Sequence, residues 1–145
     1  MNALQVTLLV FVLIETLSML ELYFLQDKPM FNGVGIFSGW ERSKADPEVH
    51  MLVRYLVNWL AGVKMIVIGL VLVLVFMVPE NTKLLGAIAL LITVSSFYWR
   101  LKPMLRTADM AGQVTPQGHS RRLSMMVAGL ELSLFVAIGM QVLGL

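Results

Sequence analysis

Four ionisable residues stand inside stretches otherwise built of Leu, Val, Ile and Met: the acids Glu15, Glu21 and Glu131, and Lys64. A charged side chain near the centre of a lipid-spanning helix costs on the order of 2.5–3.5 kcal/mol on insertion scales, so each needs a partner. Counting 1.5 Å per residue from the polar ends of the apolar runs puts Glu15 about 15 Å deep, Lys64 and Glu131 about 12 Å deep, and Glu21 about 6 Å deep. Glu15, Lys64 and Glu131 thus share a layer and are predicted to form a buried charged cluster. Glu21, Arg54, Asn58, Ser96 and Arg100 are predicted to form a second polar cluster nearer the loops. Three readings stay open: a structural ion network that fixes helix register, a proton- or ligand-handling site, or long side chains that reach water separately.

Other chemistry finds little footing. The chain has no Cys, which excludes disulfides, thiolate metal sites, iron–sulfur clusters and dithiol relays. His50 and His119 both fall at the rim of apolar runs, where a transmembrane bis-histidine haem would not be held. Met65, Met77, Met125, Met126 and Met140 sit in apolar spans and read as packing residues. The segment FNGVGIFSGW has the glycines of a phosphate loop without a preceding strand or a following Lys-Ser/Thr pair; it is predicted to be an interfacial turn anchored by Phe31, Phe37 and Trp40. No Ser, His and acid share a triad-like spacing. No catalytic or metal-ligating set is predicted, and enzyme activity ranks third behind binding and transport.

The elements that carry these residues follow from composition. Hydrophobic residues make up 58% of the 145 and charged residues only 14%, against roughly half and a quarter in soluble domains, which points to a membrane protein. A net charge of +2, with the basic residues set beside apolar runs, argues against nucleic acid as a partner. Runs of about 20 apolar residues predict a single all-α domain over residues 1–145, a four-transmembrane-helix bundle with helices at 3–25, 47–78, 84–102 and 123–145. Asp46 followed by Pro47 reads as a helix cap and first-turn proline. The first run lacks a basic leader region and an A-x-A-like cleavage site, and is expected to be retained as a helix.

Four spans put both termini on one side. The loops carry Lys28, Arg42, Lys44, Arg100, Lys102, Arg106, Arg121 and Arg122, against Lys83 alone at the other end, where it is expected to snorkel. This asymmetry predicts cytoplasmic loops and outside termini, in a bacterial inner membrane. On the third helix Ala89, Thr93, Ser96 and Arg100 follow helical spacing and predict an inward polar face. On the fourth, Gly129, Ser133 and Ala137 form a small-residue ridge suited to close helix packing, with Glu131 roughly opposite.

A glutamate in the first of four helices is similar to the small multidrug resistance transporters, with Glu15 at the matching position; Arg54, Lys64 and the loop at 26–50 depart from that family's pattern. The order of span, longer loop, RYLVNWLAGVKMIVIGL, and two further spans with GLELSL in the last resembles the small four-helix bacterial membrane proteins of the DoxX-like group. That resemblance covers most of the chain as topology, implies association with quinone-linked or redox membrane complexes, and carries over no catalytic residue. The expected function is an accessory or lipid- or quinone-binding membrane subunit, a homo-oligomer or part of a larger complex, with lipid or quinone the only ligands suggested. The alternative is a proton-coupled small-molecule transporter acting as a homodimer.

Overall fold

The computed structural model describes residues 1–30 and 33–144, and these are helical with no strand among them. Phe31 and Leu145 lie outside the described residues. Helix α1 (Ala3–Phe24) begins at a capping box: the Asn2 side chain accepts from Gln5 N at 2.9 Å, and the Gln5 side chain accepts from Asn2 N at 3.1 Å. A short helix α2 (Ser38–Ser43) follows in the first loop. Helix α3 (Pro47–Met77) starts where its cap predicts, with Asp46 Oδ1 accepting from Glu48 N and Val49 N. Its 31 residues give about 46 Å, more than a bilayer core needs.

Helix α4 (Glu80–Ser95) starts four residues before the expected position, because Val78 and Pro79 alone reverse the chain. It passes through a 3-10 turn at Ser96–Tyr98 into α5 (Leu101–Met110). Pro103, in the first turn of α5, has no N–H to donate, so one regular helix does not run through this point. Helix α6 (His119–Leu143) also starts four residues early. Gly118 takes a left-handed conformation there (φ 80°), and Asp109 from α5 accepts from Gly118 N, Ser120 N and Ser120 Oγ at 2.9, 3.0 and 2.6 Å.

The four long apolar helices meet in two cores. Nearer the termini, Leu4, Leu8 and Phe11 of α1 pack with Val71 and Val75 of α3, Ala87 of α4, and Leu134 and Ala137 of α6. Nearer the loops, Leu22 of α1 packs with Val57 and Ala61 of α3. The two long loops close this end as a cap: Ser38 N donates to Gln113 O at 2.9 Å and Thr115 N to Ile36 O at 2.8 Å, over a third core of Ile36, Leu105 and Val114. Gly35 is needed for the closure, since a Cβ there would lie 2.6 Å from the carbonyl oxygens of Gln26 and Lys28.

The opposite end is tied by side chains. Asn2 Nδ2 donates to Glu80 Oε2 and to Gln141 Oε1, both at 2.9 Å, and Lys83 Nζ pairs with Glu80 Oε1 at 2.7 Å. Lys83 is therefore buried in this network and does not reach outward as the sequence suggests. Four segments, Ala3–Phe24, Pro47–Met77, Glu80–Met110 and His119–Leu143, are long and apolar enough to cross a membrane.

Candidate functional site: an ion pair beneath a capped apolar slot

Glu15 on α1 and Lys64 on α3 meet between the two α1–α3 cores, with Lys64 Nζ 2.5 Å from Glu15 Oε2 and each side chain 22% exposed. The helix contact on either side, Phe11 with Val71 and Leu22 with Val57 and Ala61, is apolar, so the pair is an ionic contact set between two apolar ones. A short, largely enclosed pair of this kind holds two helices in one register, because sliding either by a turn separates the charges.

Glu131 does not join them. Its carboxylate instead interacts with the Tyr98 phenol, in the turn before α5. Its Oε1 is buried with no hydrogen-bond partner among the described residues. The three-member layer predicted from depth is thus corrected to a two-member pair plus a separate Tyr98–Glu131 contact. Counting residues along a helix gives no direction in which α6 turns Glu131.

The second predicted cluster is dispersed. Glu21 is buried and packs against Gly33, whose Cβ, if present, would lie 2.7 Å from the Glu21 Cδ. Asn58 Nδ2 donates to Arg54 O at 2.9 Å, and its Oδ1 accepts from Gln26 Nε2 at 3.3 Å. Arg54, Ser96 and Arg100 are exposed. The polar stripe of the third span points outward: Ala89, Thr93, Ser96 and Arg100 are all exposed, and Thr93 Oγ1 donates to its own Ala89 carbonyl at 2.8 Å. A hydroxyl satisfied within its own helix needs no polar neighbour, and so gives no inward direction. The buried face of α4 instead carries Lys83 and Ala87. On α6, Gly129 and Ser133 are exposed, with nothing within 4 Å of a Cβ added at Gly129; only Ala137 of the ridge is buried.

Two features were missed. One is the Asn2–Glu80–Lys83–Gln141 network, signalled only by polar residues standing at three helix ends. The other is the polar ring around Trp40, which is 3% exposed and is not the surface anchor its type suggests. Its Nε1 donates to Asp27 Oδ1 at 2.8 Å, the same oxygen that Lys44 Nζ meets at 2.7 Å, while Ser43 Oγ lies 2.9 Å from His50 Nδ1. The Lys44 ammonium, then the Trp40 indole, hold the Asp27 carboxyl below its usual range. Trp59 and Trp99 are exposed, as membrane-facing indoles would be.

Under the cap lies a slot of about 450 Å³. Leu22 of α1 and Val57 and Leu60 of α3 form one wall; Phe97, Leu101 and Met104 form the other. Gly33, Val34 and Phe37 of the first loop roof it, and Gln113 supplies the polar side chain in its lining. Leu60, Leu101 and Met104 are half or more exposed, so the slot opens sideways between α3 and α5, through the outer surface of the bundle. Comparison with protein-family models, curated proteins and solved structures gives no match to any of them.

Proposed function

We propose that the chain is an integral membrane protein that holds an apolar or amphipathic small molecule, of the lipid or quinone class, in the slot beneath its loop cap. The membrane part of this reading is supported by the four apolar segments and by the side chains they turn outward, such as Leu13, Ile66, Leu70, Phe76, Ile92 and Phe135. A belt of that kind exceeds what a water-soluble monomer leaves uncovered.

The slot carries the ligand reading. Its volume falls within the roughly 300–1,000 Å³ of small-molecule sites, its lining is apolar with one convergent amide, and its mouth faces the side from which a membrane-dissolved ligand arrives. Glu15, Lys64 and Glu131 line neither this slot nor the groove between α5 and α6, which favours ligand binding over proton-coupled transport and leaves the ion pair a structural part. The chain then acts as a binding or accessory subunit, presenting its ligand to a partner in the membrane.

Alkaline carbonate extraction tests the first part: the chain stays with the membrane pellet. For the second, purified protein in detergent is heated with and without a short-chain ubiquinone analogue or palmitate. A ligand at 100 times its Kd stabilises by about 2.7 kcal/mol, a readily measured rise in Tm. Ala108, on the α5 wall of the slot, is replaced by Phe to fill it; Ala108→Phe removes the ligand-induced rise, measured against the variant's own ligand-free Tm. No stabilisation by either compound, or an unchanged response in Ala108→Phe, overturns the slot as the site.

A further inference from the structure

A second cavity, of about 370 Å³, lies on the other side of α5, between it and the start of α6. Lys102 and Arg106 of α5 and Arg121 of α6 line it, together with Tyr98, Ser120 and Ser124. Among the described residues none of the three cations makes a salt bridge; Lys102 Nζ rests over the Tyr98 ring, 4.9 Å from its centroid. Asp109, one turn from Arg106, is spent on the N-terminus of α6, where it accepts from Gly118 N, Ser120 N and Ser120 Oγ. Glu131 reaches the Tyr98 phenol at the inner end of the groove and pairs with none of the three cations among the described residues. Three positive side chains therefore converge on one groove, and none of them is held in an ion pair among the described residues.

The groove has a direction. Its charged mouth is at the loop end of the spanning segments, and its floor continues along α6 over Met125 and Ala128, apolar residues that are both exposed. A membrane presents the same order of chemistry at that depth: phosphate outermost, glycerol esters beneath it, acyl chain below. Guanidinium groups bind phosphate oxygens through paired N–H donors, and basic pockets between helices at the membrane surface take anionic headgroups.

We infer that the α5–α6 groove is a binding site for the phosphate headgroup of an anionic phospholipid, held by Lys102, Arg106 and Arg121 with an acyl chain laid over Met125 and Ala128. This rests on the membrane reading above but not on the occupant of the slot. It makes the lipid a specific, bound component of the chain and fixes the angle between α5 and α6.

The test uses the full chain purified in detergent, titrated with dioleoyl phosphatidylglycerol, with dioleoyl phosphatidylcholine, and with inorganic phosphate, and read by native mass spectrometry and by Tm. Phosphatidylglycerol is expected to remain bound and raise Tm, phosphatidylcholine much less, and inorganic phosphate to do neither. At about 1 kcal/mol per basic residue, the double change Arg106→Gln with Arg121→Gln weakens phosphatidylglycerol binding about thirtyfold. Both arginines are exposed, so the variant folds. A double change of two exposed cations outside the groove, Lys28→Gln with Arg42→Gln, leaves binding within about twofold. Equal binding of the two lipids, equal losses from the two double variants, or the same stabilisation by inorganic phosphate overturns the proposal. Release of the chain by carbonate would instead fail the membrane reading, and the two failures are distinct.

Discussion

Replacing Lys64 by Met removes the ammonium that lies 2.5 Å from Glu15 Oε2 while keeping most of the apolar stem that packs beside it. What remains is a carboxylate 22% exposed, wedged between two apolar contacts of α1 and α3. A half-broken buried pair costs about 3–5 kcal/mol, whereas an exposed one costs about 0–1 kcal/mol. With roughly four fifths of each side chain enclosed, the lower end of the buried range applies, so Lys64→Met should destabilise the bundle by about 3 kcal/mol. At about 2–4 °C per kcal/mol for a chain of this size, Tm falls by roughly 6–12 °C.

Glu15→Gln should cost less, about 1–2 kcal/mol, because a long lysine can bend its ammonium toward a polar boundary and the new amide still accepts from it. The double variant removes both charges and should lie within about 1 kcal/mol of the parent, since a neutral amide in that position carries a much smaller desolvation penalty. The coupling between the two sites is then about 3–5 kcal/mol, at or above the upper end for residues in contact. The assay is thermal unfolding of the four proteins in one detergent, followed by circular dichroism at 222 nm. Single and double variants that add within about 0.5 kcal/mol, or a Lys64→Met protein as stable as the parent, would refute the account of the pair as a register lock.

Asp109→Ala removes three hydrogen bonds to the start of α6 and should cost about 1–2 kcal/mol, with faster amide hydrogen exchange confined to residues 112–122. Gly35→Ala should open the loop cap and lower Tm, because its methyl meets two backbone carbonyls, whereas Gly39→Ala, with open space around it on α2, should be neutral or slightly stabilising. Gly129→Leu and Ser133→Leu should leave the unfolding free energy of the single chain within about 0.5 kcal/mol, since both positions are exposed. In a Trp59→Phe, Trp99→Phe background, Trp40 fluorescence should change as the pH falls below about 4. The lowered Asp27 pKa means its contribution is present above the ordinary value of 3.8 and is lost as pH falls through the folded one; Asp27→Asn abolishes the transition.

The sequence by itself determined the all-helical class and its four long apolar helices. Length and composition of the apolar runs settle which helices are long and apolar enough to cross a membrane, because a helix advances 1.5 Å per residue whatever surrounds it. The Asp46–Pro47 start of α3 is equally local, since a cap bonds only to the next two or three N–H groups. Glu15 and Lys64 were legible as partners for a related reason: they sit at similar depth on consecutive spanning helices joined at the loop end, and few alternatives exist at that level. The ends of α4 and α6 were less legible, because Pro79 and Gly118 each reverse or start a helix in fewer residues than their polar neighbours suggest.

Tertiary structure decided everything that depends on azimuth or on distant chain. Glu131 was expected at the level of Lys64 but is turned toward Tyr98, and axial rise says nothing about the rotation of α6, which packs against both α1 and α4. The Ala89–Thr93–Ser96 stripe has helical spacing, but in an apolar surrounding both polar and apolar faces of such a helix are chemically tolerable, since the hydroxyls satisfy themselves on their own backbone. The same reasoning that finds an inward face in a soluble protein, where water selects against exposed leucine, therefore loses its force here. The slot, the α5–α6 groove and the burial of Trp40 all depend on the pairing of Ser38 with Gln113 and Thr115 with Ile36. Those contacts join loops more than seventy residues apart through backbone groups that every sequence possesses, and only the packed fold brings them within reach of one another.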